Sequence, residues 1–139
     1  MNLELKHLAP YLPYRLKYSV FNKKGKLDLL EIGTNNIYNI ITAVNKGVYG
    51  GEYKPILRPL SDLTKSELIE LRFDEGNDTL LWSANNVESY KDFIQFYETD
   101  LTYSVLVWAY KKHLDIFGLI EKGLAIDINT IFRILRNEQ

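Results

Sequence analysis

The hydrophobic period of this chain changes at Asn86, and that change constrains its fold more than any other feature. Before it, apolar residues tend to alternate with polar ones, the two-residue period of half-buried strands. After it, Val87, Tyr90, Ile94, Tyr97 and Leu101 fall on one helical face, with Glu88, Lys91, Asp92, Gln95 and Glu98 on the other. A chain that reads strands first and helices later predicts an α+β domain: N-terminal antiparallel β-hairpins form a small sheet, packed against C-terminal helices at about 86–98 and 101–114. At 139 residues it fits a single domain, 1–139. With 46% hydrophobic residues it can bury a real core, which argues against wholesale disorder.

The first hairpin is the clearest. Leu16, Tyr18 and Val20 alternate with Arg15, Lys17 and Ser19 across Tyr14–Phe21, and Lys26–Ile32 returns after a turn at Asn22–Gly25. Ahead of it, Leu5, Leu8 and Leu12 suggest a short helix over Leu3–Leu12, cut by Pro10 and Pro13. The β-branched run Ile37–Val44 predicts a strand. The stretch 45–51 contains Gly47, Gly50 and Gly51 and reads as a loop, without the spacing of a nucleotide-binding turn. Pro55 and Pro59 predict an extended segment over Glu52–Leu60, with no central strand continuing through Pro59. For 64–82 two readings compete. Thr64 and Glu67 have capping-box spacing for a helix, but the alternation of Ile69, Leu71 and Phe73 and the turn 75–78 favour a second hairpin.

The C-terminal third is the most apolar. Two stripes, one through Tyr103, Val107 and Tyr110 and one through Leu101, Val105 and Trp108, predict a largely buried helix over Leu101–Leu114. Gly118 is expected to end it in a left-handed conformation. Leu124, Ile126 and Ile128 suggest a final short strand, and Asn129 is placed to cap a terminal helix carrying Ile131, Ile134 and Leu135.

Composition excludes several kinds of chemistry. With no cysteine, disulfides, thiolate nucleophiles and thiolate metal sites are ruled out. The first residues lack the apolar run of a secretory leader, and no run approaches the roughly 18 apolar residues of a membrane helix, so the chain reads as intracellular and soluble. Net charge is −1, but residues 1–65 carry ten Lys/Arg against five Asp/Glu, and residues 66–139 carry seven against thirteen. Two halves of opposite sign suit packing with complementary rims, or faces that meet different partners. Arg58 is expected to pair with an acid of the second half.

No catalytic or metal motif is present. His113 lies near Asp115, Glu121 and Asp127, but no HExxH, paired-histidine or GxSxG pattern accompanies it. The residues point to no cofactor, and away from an enzyme. The candidate binding residues are Arg58, Asp62, His113, Asp115 and Glu121. Tyr11, Tyr14, Arg15, Lys17 and Tyr18 mix aromatic and cationic groups as single-strand nucleic-acid binders do, which leaves nucleic acid as a weaker reading.

Three blocks carry a resemblance: Leu8–Tyr14 (LAPYLPY), Lys54–Lys65 (KPILRPLSDLTK) and His113–Thr130 (HLDIFGLIEKGLAIDINT). Together they resemble small uncharacterised proteins encoded by bacterial phages and prophages; the tail Ile131–Gln139 lies outside the likeness. The resemblance implies the cytoplasm of a bacterial host. It also implies a non-enzymatic accessory protein acting on a protein partner or as a homo-oligomer, and it transfers no functional residue. A nucleic-acid-binding accessory factor is the second expectation. A small hydrolase or nuclease built on His113, Asp115 and Glu121 is the third.

Overall fold

Asn22 shapes the first turn: its Oδ1 accepts the main-chain N–H groups of Lys24 and Lys26, both at 2.9 Å, and Gly25 completes the reversal at φ 77°. Strands β1 (Lys17–Asn22) and β2 (Leu27–Glu31) thus pair antiparallel, with Lys17 opposite Glu31 and Phe21 opposite Leu27. The computed structural model describes residues 1–47, 50–74 and 103–137.

The hairpin is preceded by one α-turn, α1 (Leu5–Leu8), and a 3₁₀ helix, Ala9–Tyr14, which absorbs both prolines. Of the expected Leu5, Leu8, Leu12 face, Leu8 lies in the core and Leu12 packs against it, and only Leu5 is corrected. Leu5 is exposed, and the chain points Leu3 and Tyr11 inward beside Leu8. Three residues per 3₁₀ turn put Leu8 and Tyr11 on one side.

The strand expected at Ile37–Val44 is a helix, α2 (Ile37–Lys46). Ile37, Ile40, Ile41 and Val44 follow the i, i+3, i+4, i+7 spacing of a helical face, and burial of Ile37, Ile40 and Ala43 outweighs the strand preference of β-branched residues. Gly47 ends the helix at φ 65°, its N–H reaching the Ala43 carbonyl at 2.9 Å.

Strand β3 (Gly51–Leu57) pairs antiparallel with the other side of β1 and stops before Pro59. A two-residue strand, β4 (Ile126–Asp127), pairs parallel to β3 through Ile56–Ile126 and Leu57–Asp127. The sheet order is β2-β1-β3-β4, so the sheet is mixed rather than purely antiparallel.

The capping box decides the segment after Leu63. Thr64 Oγ1 accepts the Glu67 N–H and Glu67 Oε1 accepts the Thr64 N–H, each at 3.2 Å. Helix α3 (Lys65–Asp74) follows and replaces the first strand of the expected second hairpin. The rest of that hairpin, and the helix expected at 86–98, lie outside the described residues. Helix α4 (Tyr103–Lys111) falls within the predicted 101–114 but ends earlier: His113, not Gly118, is the first residue beyond it in the left-handed region. Helix α5 (Ile128–Asn137) closes the described chain.

The protein is therefore α+β, with a mostly N-terminal sheet and helices from its C-terminal part. Leu8, Tyr11, Leu16, Ile40, Leu57 and Leu119 centre the main core. Leu63, Leu68, Val105, Trp108, Ala109 and Leu114 form a second core between α3 and α4.

A candidate binding groove between the sheet and α5

Alternation along the strands sets the floor of the site. Lys17 lies opposite Glu31, and Ser19 opposite both Leu29 and Lys54. The side chains of Lys17, Leu29 and Ile56 therefore share the sheet face turned away from α2. Helix α5 borders that face. Ile131 anchors it at 2% exposure, while Phe132 and Leu135, which follow on the same side, remain 52% and 37% exposed. Between sheet and helix runs a groove of about 320 Å³ with Leu29, Ile56, Ile131, Phe132 and Leu135 as its apolar lining. Its rim carries the cations Arg15, Lys17, Arg58 and Lys112, with His113 beside them.

The placement of α5 depends on two residues near its start. Asp127 Oδ1 accepts the Asn129 N–H at 2.8 Å, so Asp127 caps the helix and Asn129, the expected cap, sits inside its first turn. Asn129 Nδ2 then donates to Asp62 Oδ2 at 2.6 Å. Asp62 thus ties the 3₁₀ turn Leu60–Asp62 to α5.

Arg58 is held in place at the rim. Its N–H donates to the His113 carbonyl at 2.8 Å, and its carbonyl accepts the Asp115 N–H at 2.9 Å. Its guanidinium donates to both carboxylate oxygens of Glu67, through Nη1 at 2.6 Å and also through Nη2, and to the Asp62 carbonyl at 2.9 Å. The expected pairing of Arg58 with an acid of the second half is observed. The bidentate contact holds the Glu67 carboxyl down at about 2, and raises Arg58 above its ordinary value.

The remaining candidates do separate work. His113 Nε2 donates to the Tyr14 carbonyl at 2.6 Å. Asp115 is 7% exposed, and its two oxygens accept the N–H groups of Leu119 at 2.7 Å and Ile120 at 2.9 Å, closing the loop before Gly123. Glu121 is exposed on that loop. Among the described residues no three His, Asp or Glu side chains are grouped to hold a metal ion. The structure brings Arg58 and His113 to one rim, joins Asp62 to α5, and leaves Asp115 and Glu121 on the loop after α4.

The rim cations differ in what faces them. Arg15 pairs with Glu31 at 3.5 Å, and Lys112 pairs with Glu70 at 3.0 Å beside the Trp108 ring. Lys17 makes no ion pair with the described residues and remains exposed. The backbone is unusual at the same place. Arg15 at φ 59° and His113 at φ 58° are the non-glycine residues in the left-handed region among those described, and both line the groove. Such conformations are rare for side-chain-bearing residues and persist only where surroundings enforce them.

Leu29, Ile56 and Phe132 were not singled out in the sequence. The groove needs the register of three strands and the seat of α5. The one local signal is the pairing of a fully amphipathic terminal helix with apolar residues on both faces of β2.

Compared with known protein families, with curated proteins and with solved structures, the chain matches none. Among the described residues no helix is long and apolar enough to cross a membrane.

Proposed function

We propose that this protein is a non-enzymatic accessory factor that binds another protein through the groove between the sheet and α5. The observation that carries this reading is the exposed apolar wall of Phe132 and Leu135 set beside the exposed ammonium of Lys17, which has no ion pair among the described residues. An apolar trough with a cationic rim suits a segment of a partner that inserts large apolar side chains and presents carboxylates to Lys17. The two left-handed residues on the rim support it further, since backbone strain of this kind collects at binding sites. The likeness of the three sequence blocks to phage and prophage proteins supports a bacterial cytoplasm as the setting, with a host or phage protein as the partner.

Nucleic acid fits the surface less well. Lys6, Arg15, Lys54, Arg58 and Lys112 each face a carboxylate within the chain, and the Arg58–Glu67 pair sets a cation of the first half against an acid of the second. A strand-binding surface would need those cations for phosphates.

The test is capture by the full chain from a bacterial lysate, followed by titration of each captured protein in purified form against wild type, Lys17→Glu and Leu135→Glu. A purified partner that binds wild type and loses at least about tenfold in affinity with each variant supports the reading. Equal affinity for all three forms sinks it. So does a single-stranded oligonucleotide that binds more tightly than any captured protein and weakens steeply with salt.

A further inference from the structure

Strand β2 (Leu27–Glu31) is an outer strand of the sheet, and among the described residues β1 is its one strand partner. Ile32 N–H donates to the Leu16 carbonyl at 2.8 Å and Asn22 N–H to the Lys26 carbonyl at 3.0 Å, which fixes the alternation of the ladder between them. By that alternation Asp28 and Leu30 bond to β1, and the main-chain groups of Leu27, Leu29 and Glu31 point outward. Among the described residues, the Glu31 carbonyl accepts the Asn36 amide at 3.1 Å, and nothing bonds the outward groups of Leu27 and Leu29. Edge strands are commonly blunted by proline, lysine, a bulge or a covering element. β2 is regular and lacks proline, its charges are Asp28 and Glu31, and it leaves Leu29 39% and Leu30 47% exposed.

We infer that β2 pairs with β2 of a second copy of the chain, antiparallel about Leu29. In that register Leu29 meets Leu29 and Leu27 meets Glu31. All are outward-pointing residues: the Leu29 pair exchanges both main-chain bonds, and at each Leu27–Glu31 pair the Glu31 carbonyl, which already accepts the Asn36 amide, takes a second bond on its other lone pair. Charge tells against one neighbouring register. Asp28 falls opposite Leu30, whereas a shift that centres on Asp28 sets two carboxylates directly against each other. A shift that centres on Leu30 puts Leu27 against Gly33, whose N–H is already given to Asn36 Oδ1 at 2.8 Å. β2 is thus complementary to itself in main-chain direction.

The pairing also changes the groove. A two-fold axis normal to the sheet keeps the same face of both copies on one side. The two Leu29 residues then stand about 5.5 Å apart at their Cα atoms. Each copy lends Leu29 to the floor of the other's groove, and the two troughs join into one across the axis. The pairing rests on β2 alone and holds whatever occupies the groove.

The absence of native cysteine makes the test direct. A Cα separation of about 5.5 Å lies within disulfide range, so Leu29→Cys is expected to form a covalent dimer under mild oxidation at least about tenfold faster than Lys24→Cys at the hairpin tip. In parallel, wild type is expected to sediment as a dimer at about 100 µM and Leu29→Pro as a monomer, because proline there removes an outward N–H and spares the ladder to β1. The cysteine pair decides the matter should proline disturb the fold. A wild type that stays monomeric up to about 500 µM overturns the inference. Cross-linking of Leu29→Cys no faster than Lys24→Cys overturns it as well.

Discussion

Arg58 and Glu67 face each other as a two-point contact, the guanidinium giving Nη1 and Nη2 to opposite oxygens of one carboxylate. Both side chains are mostly covered, at 21% and 16% exposure. The pair joins the end of β3 to the first turn of α3, where Glu67 also serves the capping box. Arg58→Ala strands Glu67 and the Asp62 carbonyl together. We expect it to lower unfolding free energy by about 2 kcal/mol in urea titrations. Arg58→Lys should recover only part of the loss, since an ammonium cannot span both oxygens in the plane of the carboxylate. An unchanged denaturation midpoint for Arg58→Ala would show that the contact adds nothing net.

The same pair sets an acid limit. Glu67 titrates at about 2 in the folded protein, against an ordinary value of 4.5, because Arg58 and the Thr64 groups favour its charged form. The unfolded chain therefore takes up the proton first. This contribution to stability is complete above about 4.5 and is lost as pH falls toward about 2. Unfolding free energy measured between pH 5 and 2.5 should fall more steeply for wild type than for Glu67→Gln. Parallel curves would disprove the linkage.

A second titration acts nearer neutrality. His7 is 4% exposed, lies edge-on to Phe117, and accepts the Glu4 N–H on Nδ1 at 3.0 Å. Burial, its largest cause, lowers its pKa below 6.5. The neutral ring is the folded form, so the unfolded chain again binds the proton first. Stability from His7 is fully present above 6.5 and declines as pH drops below it. His7→Gln should reduce the slope of stability between about pH 7 and 5.5. An identical slope would place the acid sensitivity elsewhere.

Gly118 stands at φ 68° with open space where a Cβ would project. Any penalty there is a backbone penalty. Gly118→Val is expected to cost about 1–2 kcal/mol, and Gly118→Asn less, because asparagine tolerates the left-handed region. Equal melting temperatures for the two variants would contradict this.

The hairpin could be read directly because Leu16, Tyr18 and Val20 keep strict alternation and Gly25 sits where a turn demands it. Ile37–Val44 misled because its residue types favour strands while their spacing suits a helix, and only burial against the sheet settles which prevails. At Thr64 and Glu67 the capping box was visible, yet the alternation after it outweighed it; two satisfied N–H groups and the Arg58 contact tip the balance toward α3. Gly118 was legible as a left-handed position, but the helix stops earlier because His113 takes that conformation, secured by its bond to the Tyr14 carbonyl. Asp115 read as a candidate for chemistry because a lone acid near a histidine carries no mark of its future partners, which are main-chain groups. The groove had no linear signature at all. Leu29, Ile56 and Phe132 meet only once β1 has aligned its neighbours and Asp62 has caught Asn129.

Tyr11 buries its ring beside Tyr110 and donates its hydroxyl to the Leu114 carbonyl, 103 residues along the chain. During synthesis this places an order on events. The β1–β2 hairpin can close as soon as it emerges, but the 3₁₀ turn in front of it has no seat until α4 and the loop beyond it exist. At about 5–20 residues per second, the ribosome leaves Tyr11 waiting roughly 5–20 s. The 3₁₀ turn can therefore complete its packing only after most of the chain has been made, although it is among the first parts to appear.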